Sequence, residues 1–161
     1  MFNIDIQFIP TVKVMQGRYE AFGIYVNNLK KPLTQSVEKV LVPAITKNFD
    51  VQGRPKWDAL APSTVEKKGF STILYETGQL RSVATAKSIW KVKTSAGVGT
   101  ASVDSLPGAE YGMYHQSGFI NARTGTAVSA RPFMVIQDEE ERAVEEVFDE
   151  WLEDRIRQVF G

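Results

Sequence analysis

One apolar stripe constrains this chain more than any other feature of its sequence. Between residues 33 and 49, hydrophobic side chains recur every four positions, the spacing that puts them on one face of an α-helix: Leu33, Val37, Leu41, Ile45 and Phe49. Pro32 suits the first turn of that helix, and Pro43 predicts a kink or a break near Val40. The helix should end before Gly53. Because the stripe has to be buried against another element, the chain must build at least two packed layers.

A long acidic helix is predicted over residues 138–160. Its apolar face has a residue at almost every turn: Val144, Phe148, Trp151, Ile156 and either Val159 or Phe160. Its first turn is acidic, which suits the positive end of the helix dipole: Asp138, Glu139, Glu140 and Glu141. We interpret this cluster as a solvated helix start.

The charge of the chain is unevenly distributed. Residues 137–161 contain ten acidic and three basic residues, a net charge of −7, whereas residues 1–136 carry +7. Two interpretations fit this asymmetry. The acidic helix lies on the basic body of its own chain, or the two surfaces meet between subunits.

Strand patterns occur on both sides of the first helix. Phe2, Ile4, Ile6 and Phe8 alternate with polar residues, the two-residue period of a strand with one buried face. The region from Lys13 to Tyr25 suits either short strands or a helix. Residues 88–103 predict a β-hairpin with its turn at Ser95–Gly97, and a second turn follows at Leu106–Gly108.

The remaining segments are short. Ser63 and Glu66 have the spacing of a capping box, so a helix should start at Ser63 and stop at Gly69. Thr77 and Gly78 should start another helix, which carries Leu80, Val83 and Ala84. Tyr111 to Gln116 forms a strand or a short helix, residues 117–130 form a mobile loop, and Pro132 to Ile136 forms a final strand.

These elements predict an α+β fold in a single domain over residues 1–161. A mostly antiparallel sheet packs against helices, and the long acidic helix closes the chain. The chain has no cysteine, so it has no disulfide and no cysteine nucleophile. Its zero net charge argues against generic nucleic-acid binding. We expect no signal peptide and no membrane insertion, because no apolar run approaches the ~20 residues of a membrane span.

The search for catalytic chemistry centres on His115, the one histidine. Ser117 and Asp104 are close to it in sequence, but no nucleophile-elbow pattern accompanies them. A structural or interface role for His115 is the simpler interpretation, and a His115-dependent hydrolase is the alternative. The sequence offers no metal-ligand or phosphate-loop spacing. We therefore expect no enzyme activity, no metal and no cofactor.

The predicted hairpin carries three lysines and a tryptophan. Alternation places Lys87, Lys91 and Lys93 on one face and Trp90 on the other, which weakens a base-stacking surface. The simpler interpretation is a solvated strand face opposite a buried Trp90. A DNA-contacting assembly factor that uses these lysines remains the alternative.

Four motifs occur in order along the middle of the chain. They are GRPKWDALAPST at residues 53–64, ILYETGQLRSV at 73–83, EYGMYHQSG at 110–118 and ARPFM at 130–134. Their order resembles the phage virion morphogenesis family, which includes tail-completion and neck proteins. The resemblance covers about residues 49–136. The chain departs from the family pattern in three places. Glu76 stands where the family usually has aspartate, and the segment 119–129 is longer than the family pattern leads us to expect. The first 30 residues do not match the family pattern.

Most residues of these motifs also have a role in maintaining the fold. Trp57 is a large apolar anchor, expected under the helix at Ser63. Tyr111, Tyr114 and His115 give aromatic rings with polar tips. Arg131 could pair with an acidic group where the chain leads into the final strand. The motif residues taken together are Trp57, Ser63, Thr77, Gly78, Leu80, Tyr111, His115, Gln116, Gly118, Arg131, Pro132 and Phe133.

The resemblance implies a structural protein of a tailed bacteriophage that acts in head–tail joining. Such a subunit assembles into a homo-oligomeric ring, for which six-fold symmetry is the natural expectation because tails are six-fold. Its partners would be neighbouring neck, connector and tail-tube or terminator proteins, with non-specific contact to DNA in the channel. It would be in the virion, and in the host cytoplasm during assembly. The candidate interface residues are Phe119, Arg123, Glu139, Glu140, Glu146 and Glu153.

Overall fold

Helices account for half of the residues, and the strands form two small antiparallel sheets, so the predicted α+β class is confirmed. The structure is a computed structural model that describes residues 4–6, 29–95 and 97–160. The ambiguous region from Lys13 to Tyr25 lies outside the described residues. The same holds for the side chains of residues 159 and 160, which the sequence places on the last apolar turn.

The apolar stripe lies on a helical rod at the centre of the core. The rod consists of α1 (Lys30–Ser36), a π turn (Val37–Leu41) and α2 (Val42–Asp50). Every stripe residue is buried, and the rod ends before Gly53 as predicted. The break expected near Val40 is instead the π turn. Pro43 has no N–H for the usual helical bond, and the wider turn keeps the helix continuous through the bond from the Val42 N–H to the Val37 carbonyl.

The larger sheet packs against this rod. Its strands are β1 (Ile4–Ile6), β2 (Trp90–Ser95) and β3 (Val98–Val103), in the antiparallel order β1-β3-β2. β2 and β3 form the predicted hairpin, from the Trp90–Val103 pair to the Ser95–Val98 pair. A Cβ atom at Gly99 would collide with the Leu33 side chain, so glycine at this position permits the close approach of α1 to β3.

The final helix also packs against the rod. It begins at Asp138 and ends at Phe160, as predicted, and it contacts α1 and the π turn. It is the sixth α-helix along the chain and is called α6. Its buried face includes the predicted Val144, Phe148 and Trp151, and Ile156 is half-buried. Val147 and Leu152 are buried on the same face, which joins the helix to the single hydrophobic cluster of the described residues.

Three short helices and a 3-10 turn connect these layers. They are α3 (Pro62–Lys68), α4 (Gln79–Ala84), the 3-10 turn (Lys87–Ile89) and α5 (Gly112–Ser117). The predicted start of α3 at Ser63 is wrong. Ala61 is the N-cap, because Pro62 fits the first helical position, where no N–H is required. The helix stops at Gly69, which has the left-handed conformation expected there (φ 75°).

Thr77 also lies one position outside its predicted place. The N-cap of α4 is Gly78, in a left-handed conformation (φ 80°), and Thr77 accepts a hydrogen bond from the Gln79 N–H at 3.3 Å. Of the apolar residues expected on α4, Leu80 and Ala84 are buried and Val83 is half-buried. Residues 111–116 fall mostly within α5, which selects the helical alternative for that segment.

Residues 117–130 contain a second hairpin, where the sequence predicts only a loop. Its strands are β4 (Phe119–Ile120) and β5 (Ala127–Val128), paired antiparallel. At its tip the Asn121 side chain accepts bonds from the N–H groups of Arg123 and Thr124. These bonds from its side chain allow Asn121 to stabilise a tight turn in a segment of small and polar residues.

The final strand predicted from Pro132 to Ile136 is wrong. These residues belong to neither of the two described sheets. Their backbone groups are bonded instead by side chains of two helices, as set out below. The segment is apolar because Phe133 and Met134 are buried in the core, where Phe133 has no exposed surface.

Candidate functional site

Two side-chain amides hold the segment of residues 131–135 in place. The Gln116 Oε1 accepts bonds from the N–H groups of Phe133 (3.0 Å) and Met134 (3.1 Å), and its Nε2 donates to the Met134 carbonyl (3.3 Å). The fully buried Asn48 donates from Nδ2 to the carbonyls of Phe133 and Val135, both at 2.8 Å. These bonds satisfy backbone groups that a sheet ladder would otherwise pair.

Trp57 packs on the same segment. Its indole Nε1 donates to the Pro132 carbonyl at 3.1 Å. Its ring lies edge-on to Phe49, with centroids 5.9 Å apart, and Phe49 in turn lies 5.4 Å from Phe133. The position predicted for Trp57, under α3, stays a prediction, and α3 itself buries none of its residues. Trp57 therefore links the end of α2 to the segment that leads into α6.

An ion cluster ties the start of α6 to α2. Arg54 donates to Glu140 at 2.6 Å and to Glu139 at 2.8 Å, and its Nε donates to the Asn48 Oδ1 at 2.7 Å. Lys47 pairs with Glu139 at 2.6 Å. The hydrogen bond from Lys47 is the largest cause that lowers the pKa of Glu139 below its ordinary value, and the positive charge of Lys47 is the next. The acidic start of α6 is thus bound to the chain's own cations.

This cluster corrects the interpretation of Glu140 as a solvated or interface residue. Glu140 is only 8% exposed, and its Oε2 accepts a bond from the Gln137 N–H at 2.8 Å, at the N-cap of α6. Glu139 remains exposed, although both of its cationic partners belong to the same chain. The other two acidic interface candidates, Glu146 and Glu153, are exposed on α6, and Glu153 lies 3.7 Å from Arg157.

A cleft of about 590 Å³ opens beside this framework. We call it the Arg131 cleft. α3, the Leu74–Glu76 turn, α5 and the second hairpin form its walls. Its lining combines aromatic rings with charged groups, among them Tyr75, Glu76, Tyr111, His115, Phe119 and Arg131. Motif residues that lie far apart in sequence thus meet around one concavity.

Arg131 is the most buried charged group of the cleft, with 9% of its surface exposed. Its backbone N–H donates to the His115 carbonyl at 2.6 Å. The guanidinium makes only long bonds, from Nε and Nη2 to the Asp58 carbonyl, at 3.4 and 3.3 Å. The acidic partner predicted for Arg131 is not found, because no carboxylate of the described residues forms an ion pair with it. Among the described residues, the Asp58 carbonyl is the one acceptor that bonds this guanidinium.

His115 lies next to this guanidinium. Burial, and then the charge of Arg131, lower the pKa of the imidazole, so His115 is neutral at pH 7. Its ring is edge-on to Tyr111 and Phe119, at 6.3 and 5.6 Å between centroids. The buried Nδ1 has no hydrogen-bond partner among the described residues. Asp104, the carboxylate of the hypothetical triad, is instead paired with Lys91 at 2.6 Å.

Exposed hydrophobic side chains lie in the Arg131 cleft and close to its lining residues. Tyr75 and Tyr111 line the cleft and are each 44% exposed. Tyr114 packs edge-on against Phe119 and is 57% exposed, and Ile120 on β4 is 72% exposed. Large apolar side chains around a concave site are typical of surfaces that bind another molecule.

Two other predicted sites lie away from the cleft. Arg123 is exposed in the tip of the second hairpin, and of the interface candidates only Phe119 lines the cleft. On the first hairpin Trp90 is buried, as alternation predicts, and Lys91 and Lys93 are exposed. Lys87 pairs with Glu38 at 3.3 Å and Lys91 with Asp104 at 2.6 Å. These pairs reduce the positive charge that this face offers to DNA.

Asn48 and Arg54 were missed by sequence reasoning. Asn48 lies directly before the stripe residue Phe49. A polar side chain next to the apolar stripe was the one sequence signal that could have indicated a buried polar role for Asn48. Arg54 lies in a proline-containing stretch that indicates irregular chain. Nothing in its local pattern points to Glu140, which is 86 residues away.

The described residues contain no cluster of side chains that could hold a metal ion. Within the same ranges, none of the helices is both long and apolar enough for a membrane span. Comparison with protein families, with characterised proteins and with solved structures finds no match to this chain.

Proposed function

We propose that this chain is a structural subunit of a tailed-phage virion, a ring-forming neck or tail-completion protein that acts in head–tail joining. The observation that carries the proposal is the set of four ordered motifs that resemble the phage virion morphogenesis family. Trp57, Gln116, Arg131 and Phe133 come from three of these motifs, and they meet around residues 131–135. This convergence supports the view that the motifs form one structural unit.

The surface around that unit supports a role in assembly. Tyrosine and arginine are the residue types that concentrate binding energy at protein interfaces. The Arg131 cleft brings Arg131, Tyr75 and Tyr111 together, with Tyr114 and Ile120 exposed nearby. A monomer that remained isolated would gain nothing from exposing this hydrophobic rim.

The partner surfaces follow from the same proposal. Copies of the chain associate with each other, and the assembled ring contacts neighbouring neck, connector and tail proteins. Passing DNA would make only weak, sequence-blind contacts. The protein functions in the virion, and no turnover is part of this role.

The proposal is tested by the size of the purified protein. Sedimentation velocity over a wide range of concentrations should show self-association, and electron microscopy should show closed rings, with or without the cognate neck proteins. A strict monomer under all of these conditions would contradict the proposal. A His115→Ala variant that assembles normally but loses a measurable hydrolytic turnover would favour the enzyme alternative instead.

A further inference from the structure

Arg131 carries a buried charge that no carboxylate of the described residues pairs with. Burying a guanidinium is costly unless a carboxylate or several good acceptors compensate for the lost water. Arg131 is 9% exposed, and the single Asp58 carbonyl takes two of its five N–H donors through long bonds. Arg131 lines an open cleft, so a carboxylate that enters the cleft meets a residue with donors to spare.

His115 adds to the same preference. It stands beside Arg131 in the cleft wall, and its Nδ1 is buried without a partner among the described residues. A carboxylate beside the guanidinium would make protonation of this imidazole more favourable, because it would offset the positive charge that now opposes it. Asp58 and Glu76 line the cleft as well, but neither carboxylate forms an ion pair with Arg131, so the guanidinium favours the binding of another acidic group.

The chain itself presents such groups on α6. Exposed acidic residues lie opposite the buried face of that helix, spaced so that they form one stripe: Glu146, Asp149, Glu150 and Glu153. Glu146, Asp149 and Glu150 have no cationic partner in the described part of the chain. No residue of α6 lines the Arg131 cleft, so the stripe and the cleft are separate surfaces.

We propose that the Arg131 cleft of one copy binds the acidic stripe of α6 of a second copy, with Arg131 as the receptor for a stripe carboxylate. This inference rests on the self-association in the proposed function and identifies the two surfaces that meet. Charge complementarity selects the occupant, since the stripe belongs to the segment with net charge −7 and the receptor to the segment with +7. Each copy then donates its helix and receives another, a head-to-tail contact that closes rings.

The test uses full-length variants on each surface. Arg131→Gln and Ser129→Trp alter the cleft. Ser129 is exposed in the cleft wall, so its substitution blocks the cleft without removing a core contact. Glu146→Lys combined with Glu150→Lys alters the stripe. Glu66→Lys combined with Glu141→Lys is the control, because both residues are exposed, lie outside both surfaces and give the same change in charge.

Sedimentation velocity should show the wild type and the control associating equally. Each cleft variant, and the stripe variant, should raise the dissociation constant by about thirtyfold or more, the effect expected for loss of a buried charge pair. A mixture of a cleft variant with the stripe variant should form a one-to-one complex, because one intact cleft can still bind one intact stripe. Circular dichroism and thermal unfolding establish that each variant is folded.

Other outcomes separate the two proposals. If the wild type associates and the variants associate equally well, the cleft–stripe contact is overturned and the ring-forming function stands. If the mixture forms no complex, the pairing of these two surfaces is overturned in the same way. If the wild type stays monomeric at every concentration and with its virion partners, both proposals fail. If Arg131→Gln is unfolded, Ser129→Trp decides between these outcomes.

Discussion

Asn48 and Gln116 act as side-chain substitutes for a neighbouring strand. Together they bond the N–H or carbonyl groups of Phe133, Met134 and Val135. A side-chain amide has both a donor and an acceptor, so Gln116 can match the alternation of a strand edge. This explains how the backbone groups of residues 133–135 are satisfied although the segment belongs to no sheet.

Replacing Gln116 with leucine should destabilise the protein by about 1–3 kcal/mol, because three backbone groups lose their partner in a half-buried site. Urea unfolding followed by circular dichroism measures the change in the free energy of unfolding. Gln158→Leu is the matched control, since Gln158 is exposed on α6 and makes only a 3.5 Å contact with Arg155. Equal stability of the two variants would refute the strand-like role of Gln116.

Arg54 is the second residue on which the arrangement depends. It links Asn48 to Glu140, and the side chains of Arg54 and Glu140 are only 14% and 10% exposed. Arg54→Met should cost about 3–5 kcal/mol, because it leaves a buried carboxylate without its cation. Arg81→Met should cost under about 1 kcal/mol, since the Arg81–Asp50 pair is exposed at 41% and 52%. Denaturant unfolding at neutral pH compares the two, and a similar loss in both would contradict a structural role for the cluster.

At the scale of elements, the bounds of the long helices agree with those predicted from local sequence, whereas the conformations of the connecting segments do not. The rod from Lys30 to Asp50 and the helix α6 have the predicted extents, because an apolar stripe many turns long outweighs a single proline. The N-cap lies two residues before Ser63 in α3 and one residue after Thr77 in α4, since several neighbouring residues can each serve as a cap. The second hairpin was missed because two-residue strands give no readable period.

Gly118 sets the geometry of that second hairpin. Its backbone (φ 76°, ψ 160°) lies in a region that is essentially restricted to glycine, and a Cβ atom would come within 2.9 Å of the Val128 carbonyl oxygen. Gly118→Ala should cost about 1–3 kcal/mol and displace the hairpin from the Arg131 cleft.

Gly125→Ala is the control for Gly118→Ala. Gly125 also has a positive φ (67°), but a Cβ atom there would contact nothing within 4 Å. It should therefore cost only about 1 kcal/mol, the strain of the left-handed conformation alone. Thermal unfolding compares the variants, and amide chemical shifts of the hairpin report its displacement. Identical effects would show that the contact with Val128 has no influence.

At the scale of the whole molecule, the opposite charges of the body and α6 are used in two different ways. Two of the four acidic residues in the first turn of α6, Glu139 and Glu140, are paired within the chain with Lys47 and Arg54. The later turns present Glu146, Asp149 and Glu150 to solvent. Both interpretations of the charge asymmetry thus apply. The start of the helix lies on the basic body of its own chain, as observed, and the middle of the helix meets another subunit, as proposed.

Self-association of the wild type should weaken as salt is added, because the Debye length falls from about 10 Å at 0.1 M to about 3 Å at 1 M. Sedimentation equilibrium at several salt concentrations gives the dependence. Glu146→Lys combined with Glu150→Lys should remove most of it, since these carboxylates supply the attraction. A wild-type dissociation constant that does not change with salt would mean that charge complementarity does not hold the copies together.

The sequence by itself determined the class of the fold and most of its helices and long strands. The hydrophobic periodicity that predicts a helix or a strand lies within a single segment, so it can be read without knowing the tertiary contacts. Such segments are residues 33–49, 88–103 and 138–160. It also placed the motif residues in order and predicted which large side chains, such as Trp57 and Phe133, serve the core.

Only the tertiary structure decided how these elements meet. It placed Asn48 and Gln116 against residues 133–135 and paired Glu140 with Arg54. It also buried Arg131 beside an open cleft, where no carboxylate of the described residues forms an ion pair with it. Each of these depends on partners that are distant in sequence. A hydrogen bond or an ion pair leaves no periodic mark on either segment, so its formation is fixed only when packing brings the two groups together.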